Sequence, residues 1–402
     1  MAVQTTINTA APTTYLNKTF YDRKLLERTK DQLCYGEYGQ KRPIPKNNGK
    51  RVEFRKYQLF DMDTENTVLT EGVTPDAQSL SQTKVEAEVK QYGAYVEISD
   101  LLTMTAFDPV QADTAELLGE QMGVVIDSVS RDAMLAEASD QFAGARANQN
   151  AVTATDYLTV NEVRKAVRTL KNNKARRFGG NGNSGHFLCI VDPSATYDLQ
   201  SDALWQDVSK YSNAEQIYAG EIGRLFGVRF LETTNGKVTA QSVLNKVNAN
   251  TSSSASFVLK NDPTPAEVKY LSTGGNKIMI GSTEYTLAAS DSYTAATKTV
   301  KLTTSVSLTA DDIVYSKDCG AIDATTKAGV PLHNTVIFGA DAYGVIDIAG
   351  SGAIKLIVKP VGSSGTADPL DQRSTIGAKV EAYAAKVLNP LWLVNVQHAV
   401  HA

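Results

Sequence analysis

From Arg51 to Leu59 the chain alternates Val52, Phe54 and Tyr57 with Arg51, Glu53, Arg55 and Lys56, and from Thr83 to Ile98 it alternates Val85, Ala87 and Val89 with Lys84, Glu86, Glu88 and Lys90. A period of two belongs to strands. The link over 61–81 is polar and carries Glu71, Gly72, Thr74, Pro75 and Asp76. The two runs therefore form a long hairpin arm spanning 46–100. With charges on both faces, such a hairpin has little apolar surface to bury in its own subunit, and two strands alone are marginal in water. The arm needs a partner surface.

The rest of the pattern supports an α+β body. Residues 110–138 carry the strongest helical pattern in the chain, with Leu117, Leu118, Met122, Val125, Ile126 and Val129 at i, i+3, i+4 spacing and no proline. At about 1.5 Å per residue this helix is on the order of 40 Å long. Before the hairpin, residues 2–14 read as an extended arm and 15–35 as a helix, with turn residues Pro43 and Pro45 beyond them. A second helix is expected over 159–171, with Thr159 and Glu162 as a capping box. A buried strand follows at 186–191 and a short helix at 194–200. A turn and strand then occupy 221–231. The closing run 379–397, rich in Val, Leu and Trp392, reads as one deeply buried strand.

Arginine is absent between Arg229 and Arg373, and Ser and Thr crowd the chain over 237–327. Short β runs at 256–259, 277–280, 283–287, 299–302 and 313–316 make this stretch an inserted small all-β domain. The expected divisions are an arm and helix over 1–45, the hairpin over 46–100, the long helix over 101–150, a mixed region over 151–236, the insertion over 237–327, and a returning segment over 328–402.

The formal net charge of −4 does not suit a protein whose main task is gripping nucleic acid. Any DNA contact should be weak or local. Three distant cysteines, Cys34, Cys189 and Cys319, form neither a disulfide framework nor a CxxC metal site. Met1 to Thr14 has no basic segment followed by an apolar run, so no signal peptide is expected, and no apolar stretch approaches a membrane span.

Catalytic patterns are missing. His186, His333, His398 and His401 have no metal-site spacing, and there is no GxSxG elbow, Walker loop or GxGxxG after a strand. The glycines over 179–185 lack the Lys-Ser/Thr end of a phosphate loop and read as a turn. Lys171, Lys174, Arg176 and Arg177 could meet DNA phosphates, but cations at a helix C-terminus also complement its macrodipole. Asp368 and Asp371 flank Pro369 beside Arg373, which suggests a loop whose charges fix the following strand. No enzyme, cofactor or metal is expected.

Two separated blocks carry a family resemblance. The first is Leu69-Thr70-Glu71-Gly72-Val73-Thr74-Pro75, followed by Lys90-Gln91-Tyr92-Gly93 and Glu97-Ile98-Ser99-Asp100-Leu101-Leu102. The second runs from Gly365 through Asp368, Pro369, Asp371 and Arg373 to Gly377, then to Lys386, Leu388, Asn389 and Trp392. Both resemble a tailed-phage major capsid family with the Hong Kong 97-type fold, typified by a short-tailed coliphage. The resemblance covers about 1–235 and 330–402. It implies that the hairpin is the E-loop, 110–138 the spine helix of the peripheral domain, and much of 150–390 the axial domain.

It further implies self-assembly into pentamers and hexamers of an icosahedral head, with scaffolding, portal and decoration proteins as possible partners. Packaged DNA would lie on the inner face in weak, non-specific contact, and no membrane would be involved. The product would be a virion assembled in the bacterial cytoplasm. Arg51, Arg55, Lys56, Glu71, Lys84, Glu86, Glu88, Asp368, Asp371 and Arg373 are the expected contacts between subunits. A tail or surface-layer component is the alternative reading.

Overall fold

The computed structural model describes residues 34–45, 47–57, 60, 68, 71, 79–105, 110–179, 185–209, 221–280, 283–317, 319–322, 329–348, 354–363 and 370–401. The expected N-terminal arm, nearly all of the helix over 15–35, and Asp368 lie outside them. Two compact units emerge, one from Met1–Ala138, Asn173–Gly182 and Phe338–Leu393, the other from Ser139–Asn172, Asn183–Ile337 and Val394–Ala402.

The chain opens with β1 (Gln40–Ile44), β2 (Arg51–Tyr57), β3 (Gln82–Glu88) and β4 (Lys90–Ser99), then α1 (Asp100–Thr105) and α2 (Val110–Glu137). Next come β5 (Ser139–Phe142), α3 (Val160–Asn172), β6 (Phe187–Val191), α4 (Pro193–Ser201), α5 (Ala203–Ser209), β7 (Glu221–Leu225), β8 (Val228–Glu232) and β9 (Val238–Thr239). The Ser/Thr-rich stretch supplies β10 (Val243–Lys246), β11 (Thr251–Val258), α6 (Pro265–Ser272), β12 (Lys277–Ile280), β13 (Thr283–Thr286), β14 (Tyr293–Thr294), β15 (Thr299–Leu308) and β16 (Ile313–Ser316). The chain closes with β17 (Leu332–Phe338), β18 (Tyr343–Ile348), β19 (Lys355–Lys359), β20 (Arg373–Val387) and β21 (Leu393–His398).

In the first unit, β20 is the central strand. It pairs antiparallel with β18, β19 and β4, and β1 adds to the β18 edge in parallel. The apolar stripe of α2 explains its seat: Ala115, Leu118 and Met122 are buried with Ile98, Leu356, Ile376 and Ala378 from β4, β19 and β20. Leu117, expected in that stripe, is instead 65% exposed, and Val124 is 40% exposed. The sequence reading places turn residues at Pro43, whereas Pro43 lies within β1 opposite Asp347. Proline is tolerated there because an edge strand need not donate on its free side.

In the second unit, the seven-stranded sheet runs β5-β21-β17-β6-β8-β7, with β9 on β17. Helix α3 begins one residue later than expected and is half of a capping box. The Glu162 N–H donates to Thr159 Oγ1 at 3.4 Å, but the Glu162 carboxylate accepts from Lys165 at 2.7 Å and Gln141 at 3.0 Å.

The inserted stretch folds into two small sheets, β10-β16-β12-β13 and β11-β15-β14. They share one apolar cluster that includes Phe257, Leu271, Ile278, Leu302 and Val314. Unlike the all-β expectation, it contains α6, which starts at Pro265 behind a full N-terminal capping box of Thr264 and Glu267. The final run is also corrected: it is two strands, because Pro390 opens a 3₁₀ turn over Pro390–Trp392 between β20 and β21.

Candidate assembly surface

The hairpin pairs β2 and β3 antiparallel from Arg51↔Glu88 to Tyr57↔Gln82. Strand geometry then sorts its side chains. Arg51, Glu53 and Arg55 share one face with Glu88, Glu86 and Lys84, while Val52, Phe54 and Lys56 share the other with Ala87, Val85 and Thr83. Charge is therefore concentrated on one face, and the exception on the apolar face is Lys56, whose ammonium sits 5.4 Å from the Trp392 ring centroid.

Register places Glu53 opposite Glu86 and Arg55 opposite Lys84, two like-charged pairs that would repel. The side chains resolve this with one cross-strand diagonal, Lys84 to Glu53, and with pairs two residues apart on the same strand. Lys84 reaches Glu53 at 2.6 Å and Glu86 at 2.5 Å, Arg55 reaches Glu53 at 3.2 Å, and Glu88 takes Lys50 at 2.5 Å and Arg51 at 3.3 Å. The hydrogen bond from Lys84 lowers the Glu53 carboxyl, that from Lys50 lowers Glu88, and the bond to Glu53 raises Lys84. These groups are exposed, so the ladder sets charge pattern more than stability.

Burial along the hairpin falls off toward its far end. At the base, Ala87 and Val89 are buried with Ile44, Ile346, Ala382 and Ala384, and Val52 and Phe54 pack against them. Farther out, Tyr57 is 60% and Leu80 62% exposed, and Phe60 and Val68 are exposed too. Glu71 is exposed as well. Exposed apolar groups rimmed by charge mark surfaces that meet a partner.

Of the second expected group, Asp371 adopts a positive φ of 51° just before β20, and Arg373 Nη1 lies 3.8 Å from Glu97 Oε2 on β4. The contact crosses the β4–β20 pair, where Arg373 is opposite Ser99 and Thr375 is opposite Glu97. Asp368 lies outside the described residues.

Sequence reasoning missed Asp127. It is fully buried on α2 and accepts backbone N–H bonds from Cys34 at 3.0 Å and Tyr35 at 2.7 Å. A turn farther on, Ser130 Oγ bonds Tyr383 OH at 2.6 Å, and the Tyr343 hydroxyl donates to the Tyr35 carbonyl. The spine-like helix thereby fixes the point where the preceding segment joins the body. Its signal in the sequence was one acid interrupting an apolar helical stripe. Burial raises the Cys34 thiol to about 12, which makes it a poor nucleophile.

The second unit also has a polar group that the histidine spacing did not reveal. Asp192 Oδ2 lies 2.6 Å from His333 Nδ1, and the buried His398 ring stands 6.2 Å from the His333 ring. Because His398 Nδ1 faces the Ala399 carbonyl at 2.9 Å, that nitrogen carries the proton and Nε2 accepts from Thr335 Oγ1 at 2.9 Å. Burial lowers His398 to about 4. Burial pushes Asp192 up, but the hydrogen bond and charge of His333 outweigh it and leave its carboxyl below the usual value. Among the described residues, no group of three or more His, Cys, Asp or Glu could hold a metal, and no helix is long and apolar enough to cross a membrane.

A projecting hairpin, a long helix laid on a β-sheet and a second mixed unit define the Hong Kong 97-type α+β capsid fold. The same fold occurs in the capsid of Cyanophage Pam1, at 12% identity and TM-score 0.55 over 99% of this chain and 96% of that one. The capsid of Ralstonia phage GP4 shares it at 11% identity and TM-score 0.54, over 92% of this chain and 89% of that one. So does the capsid of Cyanophage P-SCSP1u, at 12% identity and TM-score 0.51, with coverages of 92% and 89%. No curated protein matches the sequence. A family model described as "Phage capsid protein" matches residues 42–260, and the chain belongs to that family. It is a major capsid protein, a structural component of the phage head.

Proposed function

We propose that the chain assembles with copies of itself into pentamers and hexamers of an icosahedral head around double-stranded DNA, and that it catalyses no reaction. The observation that carries this reading is the hairpin, whose far half exposes Tyr57 and Leu80 beside a charged ladder while only its base is packed. Laid across a neighbouring subunit, that half would gain the apolar cover it lacks. Arg51, Arg55, Lys56, Glu71, Lys84, Glu86 and Glu88 are the proposed contacts along the hairpin from its base outward, with Asp368, Asp371 and Arg373 as a second group. Many weak contacts repeated around a shell then sum to a stable assembly. Scaffolding, portal and decoration proteins are the proposed further partners, with assembly in the host cytoplasm.

The test is light scattering of the purified protein, alone and with a scaffolding partner, across concentration and salt. Shells or capsomers are expected. A stable monomer under every condition contradicts the reading.

A further inference from the structure

The exposed face of α3 has a charge pattern that shell building by the hairpin does not use. Arg164, Arg168 and Lys171 follow one another at i, i+4 and i+7, so they share a face and span about 10 Å along the axis. All three are exposed, and none has an acidic partner among the described residues. The neighbouring Lys165, by contrast, is paired with Glu162 at 2.7 Å. Like charges at this spacing repel. Lys171 in the last turn complements the helix dipole, but Arg164 near the opposite end works against it, so capping does not account for the stripe.

An aromatic side chain completes the face. Phe226, at the β7–β8 turn, has a positive φ of 51° and is 45% exposed, with the Arg164 guanidinium carbon 5.1 Å from its ring centroid. Together with Val167 and Asn172, these residues line a groove of about 560 Å³. A row of unpaired cations beside an open aromatic ring fits a polyanion with regularly spaced charge.

We propose that the Arg164–Arg168–Lys171 face, with Phe226, binds the phosphate backbone of the packaged duplex. This rests on the reading of the chain as the shell around DNA. Duplex phosphates recur every 3.4 Å per strand along the axis, so a stripe of about 10 Å meets about three of them. Because the chain as a whole carries a formal charge of −4, the attraction is local to this face and easily screened by salt. A container needs such a contact, firm enough to lay DNA against the wall and weak enough to release it.

The experiment is a fluorescence-anisotropy titration of a short duplex with purified full-length capsomers, over a range of salt. The triple variant Arg164→Gln, Arg168→Gln, Lys171→Gln is compared with wild type. A second triple, Lys246→Gln, Lys269→Gln, Lys301→Gln, makes the same net charge change elsewhere. The first variant should lower affinity at least tenfold at about 0.1 M salt and reduce the salt slope by about 2 to 3, at close to 0.9 per phosphate. Arg168→Gln alone should reduce the slope by about 1.

The control triple should bind as wild type does. Equal losses in both triples, or an unchanged slope in the first, overturn the proposal. Unchanged duplex binding with lost binding to polyglutamate would assign the face to an acidic protein segment and also overturn it. Because capsomer formation is scored separately, failure to assemble counts against the shell reading, and normal assembly without the DNA effect counts against this face alone.

Discussion

Two β-rich excursions leave the body of this protein, and they satisfy their hydrophobic requirements in opposite ways. The inserted stretch wraps two sheets and α6 around a closed apolar cluster containing Phe257, Leu271, Val300 and Val314. The hairpin buries only its base and leaves Tyr57, Phe60, Val68 and Leu80 open. A segment with its own core can be moved or removed as a unit. A two-stranded ribbon without one depends on whatever it touches. The contrast separates a self-sufficient addition from an element built for contact between subunits.

The largest expected effect comes from removing the dependent element. Replacing residues 55–84 with a short Gly/Ser turn should reduce shell yield to background while moving the melting temperature of the isolated subunit by no more than about 2 °C. Electron microscopy and calorimetry on the same preparation measure both. A collapse in subunit stability would mean that the hairpin tip folds onto its own chain, and the contrast would fail.

Next in size is the core of the insertion. Phe257→Ala should destabilise that stretch by about 3–5 kcal/mol, as truncation of a buried aromatic does. Shell formation should survive, and it should also survive deletion of 243–316 behind a Gly/Ser linker. The expected position of the insertion is the outer face of the shell, since its lysines over 237–327 are nearly balanced by Asp and Glu and a module lying against DNA would be basic. Density for it on the inside, or loss of all soluble protein on deletion, would refute that placement.

Acid should then distinguish the insertion from the seven-stranded sheet in the same unit. His398 faces His333, Asp192 and Asp198 and stays neutral in the fold, with a value near 4 against 6.5 for an ordinary histidine. The unfolded chain therefore binds the extra proton first. The stability contributed is complete above about pH 6.5 and is lost as pH falls toward 4. Asp192, also held low, loses its contribution as pH falls further. The apolar cluster of the insertion has no titrating member. Amide exchange at pH 7 and pH 4.5 should show the sheet loosening before the insertion does. The reverse order would remove this distinction.

The smallest effect sharpens the difference between the two hairpin faces. Lys56→Gln should cost the isolated subunit about 0.5–1 kcal/mol through the lost contact with Trp392, whereas Arg55→Gln, on the solvated ladder, should cost less. Arg55→Glu should nevertheless impair assembly more than Lys56→Gln does. Urea titrations and shell yields of the variants check this.

Much of this was legible in the sequence because periodicity reports local geometry. The alternation read over 51–59 and 83–98 gives β2 and β3, but the second run breaks at Val89 and continues as β4 against β20; the helical stripe gives α2 to within a residue at its end. What escaped were features set by distant partners. The edge strand at Pro43 exists because β18 accepts it, a pairing about 300 residues away in sequence that no local pattern encodes. The break at Pro390 lay hidden inside a continuous apolar run. The period of two already puts Lys56 on the face of Val52 and Phe54, but its partner Trp392, like those of Asp127 and the Asp192–His333 pair, lies many positions away in sequence. The contact residues between copies are read from exposure and charge, since a partner surface leaves no period in the chain that meets it.

The central claim is that the open half of the hairpin is covered by a neighbouring subunit in a closed shell. Electron cryomicroscopy of particles assembled from the purified protein tests it directly. The account predicts closed shells of five- and six-membered capsomers, with density for Tyr57 and Leu80 packed against the next subunit. Tubes, flat sheets, or a hairpin folded back on its own chain would contradict it.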